Sequence, residues 1–260
     1  MNPSPDLPRR LSAAIVMIAV AFSALWWGGW IFFVLVAVGG ILMLYEWANL
    51  VGATAGQRRL AQYALTVPIA LMSPAAAGPG FLALGFVLGA MFFVGAVTRH
   101  SRLAWGVLYV GIPVLALVML RHEPDMLAPS GFLLTLWAMA LVWACDSGAY
   151  FAGRAIGGPK LAPSISPNKT WAGFFGGVAA AGLFAAVLAI WFHLPVALAI
   201  ATPFLAMLAQ VGDLYESHLK RVAGVKDSGT MLPGHGGLLD RLDGLVAVAP
   251  VAALLVVLLR

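Results

Sequence analysis

The sequence predicts an all-α, polytopic integral membrane protein with about nine transmembrane helices and a cytoplasmic N-terminus. Of its 260 residues, 62% are hydrophobic and only 10% are charged, whereas soluble globular proteins carry about 25% charged residues. The mean hydropathy is +0.96, and the apolar runs are long enough to cross a hydrocarbon core of roughly 30 Å. These observations exclude a soluble fold.

Nine apolar segments result when the chain is divided at charged, polar and Gly-Pro clusters. The first two segments are separated only by Gly28-Gly29, and the next two by a turn around Pro79. We therefore expect each of these pairs to form a tight helical hairpin. In chain order, the predicted spans are 11–27, 30–47, 60–77, 81–97, 104–120, 131–151, 171–192, 195–211 and 245–259.

The distribution of basic residues predicts the orientation of these spans, because cytoplasmic loops collect Lys and Arg. With the N-terminus inside, all of the fifteen Lys and Arg residues except Arg121 and Arg260 fall on the cytoplasmic side. This bias also explains the net charge of +5, so we expect the lipid bilayer, and no nucleic acid, as a partner. The single cysteine, Cys145, excludes an internal disulfide.

The two halves of the chain differ in polar chemistry. Residues 1–130 are predicted to form a transmembrane scaffold of about five helices, in which Glu46 is the only acid within a span. Its aromatic neighbours favour an interfacial role over a catalytic one. Residues 131–260 are predicted to form a catalytic region with two cytoplasmic polar segments, 152–170 and 212–243.

Five acids within or beside the later spans indicate a site, since a charge deep in a membrane helix costs about 2.5–3.5 kcal/mol. Structural pairing is the alternative, because Glu216 and Lys220 have i, i+4 spacing and Arg241 lies between two aspartates. A site is favoured because the acids converge with seven bases on one predicted membrane face. The acids are Asp146, Asp213, Glu216, Asp240 and Asp243.

The spacing of these carboxylates favours a hard cation. Asp213, Glu216 and Lys220 recur at i, i+3 and i+7, which aligns them on one face of a helix. Carboxylates grouped without His or Cys suit Mg²⁺ rather than zinc. A divalent ion held by carboxylates among Lys and Arg is typical of polyphosphate chemistry.

The segment GRAIGGPKLAPSISPNKT, residues 153–170, offers glycines, hydroxyls and Lys169 to an anion. It lacks the order and the preceding strand of a Walker A loop, and a plain connector is the alternative interpretation. Lys169-Thr170 directly before a predicted helix favours phosphate binding, because helix N-termini attract anions.

The stretch SHLKRVAGVKDSGTMLPGHGGLLDRLD, residues 217–243, resembles the signature of the phosphatidate cytidylyltransferase family, also called CDP-diacylglycerol synthases. The segments DSGAY at 146–150, SPNKTW at 166–171 and GDLYES at 212–217 are similar to further family motifs. Ala172 stands where the family commonly has Glu. The matching signature positions are Ser217, Lys220-Arg221, Lys226-Asp227, His235-Gly236-Gly237, Asp240-Arg241 and Asp243.

The resemblance implies transfer of CMP from CTP to phosphatidic acid, giving CDP-diacylglycerol and pyrophosphate in phospholipid biosynthesis. It implies a multi-pass protein of the inner membrane with its active site on the cytoplasmic side and Mg²⁺ as cofactor. An additional monovalent cation and a homodimer are left open. The alternatives are a CTP-dependent polyprenol or phytol kinase, a CDP-archaeol-type synthase and, in another class, a cation or phosphate transporter.

The resemblance also implies roles for individual residues. Asp213 and Asp240 are the first-choice metal ligands. His235 either protonates a leaving oxygen or shapes its loop. The catalytic set is Lys220, Arg221, Lys226, His235, Arg241 and Asp243. The substrate-binding set is Asp146, Ser166, Lys169, Thr170, Glu216 and Ser217. The second-choice metal ligands, drawn from both sets, are Asp146, Glu216 and Asp243.

Overall fold

Helices dominate the structure, a computed structural model that describes residues 7–122, 130–232 and 236–259. Within those ranges nine α-helices follow the predicted order, so the all-α polytopic fold is confirmed. The helices are α1 (Leu7–Trp27), α2 (Gly29–Leu50), α3 (Ala55–Leu71), α4 (Phe81–Thr98), α5 (Ser101–Arg121), α6 (Gly131–Ile156), α7 (Trp171–Phe192), α8 (Val196–Val222) and α9 (Leu239–Leu258).

Seven helices of the described chain, α2 and α4 to α9, are long and apolar enough to cross a membrane. Helix α1 adds a shorter apolar stretch, Ile15–Trp27, and α3 has 17 residues with Arg58 and Arg59 in its first turns. The protein is therefore a multi-pass membrane protein. Nine spans and a cytoplasmic N-terminus stay predictions.

Three helices extend past their predicted spans into the polar segments. Helix α6 ends at Ile156 rather than 151, α8 ends at Val222 rather than 211, and α9 begins at Leu239 rather than 245. An apolar criterion stops where charges begin, but a helix continues where i, i+4 pairs such as Glu216 and Lys220 support it. All five predicted carboxylates consequently lie on helices and not in loops.

The first polar segment contains a β-hairpin that the sequence did not predict. Strand β1 (Lys160–Ala162) pairs antiparallel with β2 (Ser166–Thr170). Lys160 is opposite Thr170, and Ala162 is opposite Ser166. Thr170 also caps α7, since its side-chain oxygen accepts a hydrogen bond from Gly173 N at 3.1 Å. The predicted phosphate segment is thus an ordered hairpin joined directly to a helix N-terminus.

The chain divides into two compact units. The first unit comprises Met1–Val118 and Val222–Leu242, and the second comprises Met119–Arg221 and Asp243–Arg260. The first unit therefore combines the N-terminal helices with most of the second polar segment. The predicted functional division into a scaffold and a catalytic region at residue 130 stays a prediction.

A buried tryptophan organises the packing of the first unit. The Trp47 side chain is 1% exposed, and its indole N–H donates to the Arg102 carbonyl at 2.9 Å. Gly106 lies directly against the indole ring, where a Cβ would overlap it. Because the ring is both hydrogen-bonded and enclosed, it joins α2 to α5 firmly.

Small residues allow α6 and α7 to pack closely in the second unit. A Cβ at Gly148 would lie 2.7 Å from the Gly176 carbonyl oxygen and would overlap Ala180. A Cβ at Gly177 would lie 2.7 Å from the Cys145 carbonyl oxygen. Small residues that let helix backbones approach are the usual basis of helix association in membranes.

We expect Gly148→Ala to lower the thermal unfolding midpoint in detergent, because the added methyl meets backbone atoms that cannot move aside. Overpacking of this kind typically costs about 1–3 kcal/mol. Gly89→Ala is the matched control, since nothing lies within 4 Å of a Cβ at that helical position. Equal midpoints for the two variants would contradict the packing account.

Candidate functional site

The C-terminal part of helix α8, which follows its apolar residues, carries polar side chains in a stripe along one face. Glu216 is fully buried and lies 3.5 Å from the Lys220 ammonium group. The Ser217 hydroxyl donates to Asp213 Oδ1 at 3.3 Å. The predicted alignment of Asp213, Glu216 and Lys220 on one helix is confirmed by the extent of α8.

The hairpin brings Lys169 to this stripe. Its ammonium group forms an ion pair with Asp213, and both side chains are partly exposed, at 23% and 30%. Arg221 Nε donates to the Ile165 carbonyl in the hairpin turn at 3.4 Å. Two segments that the sequence analysis singled out separately, the phosphate segment and the carboxylate helix, therefore meet in the second unit.

Asp243 on α9 completes a group of acids with this stripe. Glu216, Asp213 and Asp146 are all near enough to its carboxyl group to interact with it electrostatically. Gly212 allows this approach, because a Cβ there would lie 2.8 Å from the Asp243 carbonyl oxygen. We call Asp146, Asp213, Glu216 and Asp243 the acidic cluster.

A second set of predicted site residues, Lys226 and Asp240, lies in the first unit. The chain between them is described at residues 226–232 and 236–239, and we call this segment the 226–239 loop. Asp240 accepts hydrogen bonds from Ser228 N at 3.1 and 2.9 Å and from Gly237 N at 2.7 Å. The carboxylate therefore ties both ends of the loop to the first turn of α9. Each carboxylate oxygen has further lone pairs, so a metal-binding role for Asp240 stays a prediction.

The sequence did not predict the contacts of Glu46. Its side chain is 1% exposed and accepts hydrogen bonds from Leu238 N, Leu239 N and the Ser228 hydroxyl at 2.9, 2.7 and 3.3 Å. The carboxylate is therefore enclosed by protein groups, and its interfacial role stays a prediction. The sequence feature that indicates its importance is that Glu46 is an acid within an apolar span, and an ionisable residue in such a span marks a functional site by default.

Comparison with known proteins identifies the fold that carries these groups. Residues 8–259 match the model of the cytidylyltransferase family. This chain belongs to the cytidylyltransferase family. The family resemblance drawn from residues 217–243 is confirmed, and the protein is an enzyme of the nucleotidyltransferase class.

Individual relatives agree with the family match, two of the three below over nearly the whole chain. A phosphatidate cytidylyltransferase of Brucella suis biovar 1 (strain 1330) is 38% identical over 255 residues, covering 94% of this chain and 91% of that protein. One from Pseudomonas aeruginosa is 36% identical over 278 aligned positions, covering 96% of each chain. One from Bacillus subtilis (strain 168) is 47% identical over 123 residues, covering 46% of each chain.

The remaining predicted site residues of this cytidylyltransferase differ in exposure. Thr170 is buried and its oxygen is engaged in the α7 cap, whereas Ser166 is half-buried. Asp146, Lys226 and Arg241 are exposed. His235 lies outside the described residues, so its two predicted roles stay open.

The donor chemistry of the acidic cluster fits a hard divalent cation. Its members supply carboxylate oxygens, which Mg²⁺ prefers over the thiolate and imidazole ligands typical of zinc. Among the described residues, no three His, Cys, Asp or Glu side chains are arranged as a ready metal cage. In nucleotide enzymes, Mg²⁺ is commonly held by one or two carboxylates together with substrate phosphates and water.

Proposed function

We propose that this protein is a phosphatidate cytidylyltransferase, which converts CTP and phosphatidate to CDP-diacylglycerol and pyrophosphate. The observation that carries the proposal is the meeting of Lys169 with Asp213 in a cluster of acids and cations at the polar end of α8. Relatives of that name, aligned over almost the whole chain, support the choice of phosphatidate as acceptor.

The reaction needs little covalent chemistry from the protein. A phosphate oxygen of phosphatidate forms a bond to the α-phosphorus of CTP, the bond from that phosphorus to the bridging oxygen breaks, and pyrophosphate leaves with the electron pair. Phosphatidate is already anionic at neutral pH, so the enzyme has no need of a strong general base. The barrier is mainly electrostatic, because two polyanions must be brought together in line.

Side chains held in fixed positions lower such a barrier efficiently, because they need not reorganise during the reaction. Lys169 is held by Asp213, and Lys220 by Glu216. We assign these two ammonium groups, together with Arg221, to the phosphates of the bound substrates. Ser166 and Ser217 add neutral donors. Lys226 and Arg241, in the first unit, keep the phosphate-neutralising role that the family resemblance implies.

Mg²⁺ is the cofactor that the acidic cluster would hold, with Asp213 as its first-choice ligand and Glu216 and Asp243 beside it. When bound, the ion would offset negative charge on the triphosphate and on departing pyrophosphate. Asp213 would then have two roles, because its carboxylate would bind the ion and also orients Lys169. One or two carboxylates of the cluster, acting with the substrate phosphates, would be enough to hold such an ion.

The proposed location is the bacterial inner membrane, with the acidic cluster facing the cytoplasm, where CTP is available. The excess of Lys and Arg in the corresponding loops supports that orientation. The lipid substrate then lies in the cytoplasmic leaflet beside the helices. A site at the helix ends can receive the lipid headgroup laterally and the nucleotide from water.

A lipid-product assay tests the proposal. Purified protein in detergent with radiolabelled CTP, dioleoyl phosphatidate and Mg²⁺ is expected to transfer label into the organic phase as CDP-diacylglycerol, and EDTA is expected to abolish the transfer. Polyprenol and archaeol-type acceptors serve as competing substrates. Label on those acceptors but not on phosphatidate would overturn the assignment. Cation or phosphate flux into proteoliposomes without CTP would indicate the transporter class instead.

A further inference from the structure

We propose that Glu46 is a positioning residue for cytidylyl transfer, which holds the 226–239 loop and the first turn of α9 in their working arrangement. The proposal rests on the proposed function and extends it to a helix outside the signature motif. Glu46 is buried near the C-terminal end of α2, far in sequence from the loop that it contacts.

All three groups that meet the Glu46 carboxylate are hydrogen-bond donors. They are the backbone N–H groups of Leu238 and Leu239 and the hydroxyl of Ser228. An ionised carboxylate only accepts hydrogen bonds, and it also complements the partial positive charge of a helix N-terminus. Glu46 therefore caps α9 from another helix, a task for which a neutral amide is poorly suited.

Two glycines provide the space for this contact. A Cβ at Gly229 would lie 2.7 Å from Glu46 Oε1, and a Cβ at Gly237 would lie 2.7 Å from Glu46 Oε2. Ser228, between these contacts, is 6% exposed. The carboxylate is thus enclosed on the loop side by backbone that carries no side chain to displace it.

The carboxylates of Asp240 and Glu46 stabilise the loop in different ways. Asp240 joins Ser228 N to Gly237 N within the loop itself, whereas Glu46 joins the loop to α2. Loss of Glu46 should leave the loop closed but free to shift against α2. Lys226 lies two residues before Ser228, and Arg241 lies two residues after Leu239. A shift of the loop would therefore misplace both proposed phosphate-binding cations.

Glu46→Gln tests this role because it keeps the shape of the side chain and replaces one acceptor by an N–H₂ donor. We expect kcat to fall about 10- to 100-fold, the range found when partners that orient active-site groups are removed. We expect hydrogen exchange of the Leu238 and Leu239 amides to rise, while the Ser228 amide, held by Asp240, stays protected. Gly237→Ala, which crowds the carboxylate from the loop side, should show the same pattern if Glu46→Gln fails to fold.

Trp47→Phe is the matched control. It alters the next residue on α2, which is equally buried, and removes the hydrogen bond to the Arg102 carbonyl. We expect it to lower the unfolding midpoint at least as much as Glu46→Gln but to change kcat by less than about threefold.

The outcomes separate the positioning role from the proposed function. Glu46→Gln with wild-type kcat, or a loss of kcat that merely follows the unfolding midpoint across the variants including Trp47→Phe, would overturn the positioning role. A wild-type enzyme that makes no CDP-diacylglycerol would instead overturn the proposed function. Exchange at Leu238 and Leu239 reports on the contact in either case, and unchanged exchange in Glu46→Gln would contradict it.

Discussion

Asp213→Asn is expected to lower kcat by roughly 10²- to 10³-fold, the loss typical when one preorganised electrostatic group is removed from an active site. The substitution keeps the shape of the side chain and an oxygen for the Ser217 hydroxyl, but it removes the charge that pairs with Lys169. Turnover of CTP with saturating phosphatidate measures the loss.

Stability of the same variant distinguishes a catalytic carboxylate from a structural ion pair. Because Asp213 lies close to Asp243, its neutralisation should relieve repulsion and leave the unfolding midpoint unchanged or higher, as is common for residues kept for activity. If Asp213 served only to neutralise Lys169, Asp213→Asn would leave the Mg²⁺ concentration needed for half-maximal turnover unchanged. An unchanged Mg²⁺ requirement would remove Asp213 from the proposed metal-binding set.

Asp240→Asn is expected to be the second most damaging substitution, with kcat lowered by about 10²-fold. Asp240 Oδ2 accepts from both Ser228 N and Gly237 N, whereas Oδ1 accepts from Ser228 N alone. An amide whose oxygen takes the Oδ2 position therefore opposes Ser228 N with its own donor. We expect faster hydrogen exchange at the Ser228 amide, in contrast to Glu46→Gln, which should affect Leu238 and Leu239.

Ser130→Ala provides the control for Asp240→Asn, because it also removes a side-chain acceptor at a helix N-terminus, here from Leu133 N. Loss of such a cap costs about 1 kcal/mol of stability, and no loss of activity is expected. A Mg²⁺ titration of the Asp240→Asn rate separates the two roles of the residue: a raised Mg²⁺ requirement supports the predicted metal ligand. Near-wild-type turnover would exclude Asp240 from both roles.

The sequence predicted the helices well because apolar runs bounded by charge are a direct consequence of the bilayer as solvent. It placed the ends of α6 and α8 too early and the beginning of α9 too late, since hydropathy falls at the charged residues while the helical hydrogen bonds continue. It also missed the hairpin, because five residues of mixed polarity such as Ser166–Thr170 carry no alternation typical of a strand.

The site was predictable in part. The stripe of Asp213, Glu216 and Lys220 follows from helical spacing alone, and Lys169 was identified as an anion-binding candidate by its place before a helix. Their pairing was not predictable, because it depends on the hairpin that carries Lys169 to α8. The contact between Glu46 and Leu239 joins residues far apart in sequence, and no local pattern encodes such a tertiary hydrogen bond.

The most direct test that this enzyme transfers a cytidylyl group to phosphatidate is to measure which product receives each phosphate of CTP. Parallel reactions would contain CTP labelled with ³²P at either the α- or the γ-phosphate, unlabelled phosphatidate and Mg²⁺. We predict that α-label enters the lipid as CDP-diacylglycerol, while γ-label appears only in pyrophosphate. Lipid labelled from the γ-position would identify a CTP-dependent kinase and contradict the account.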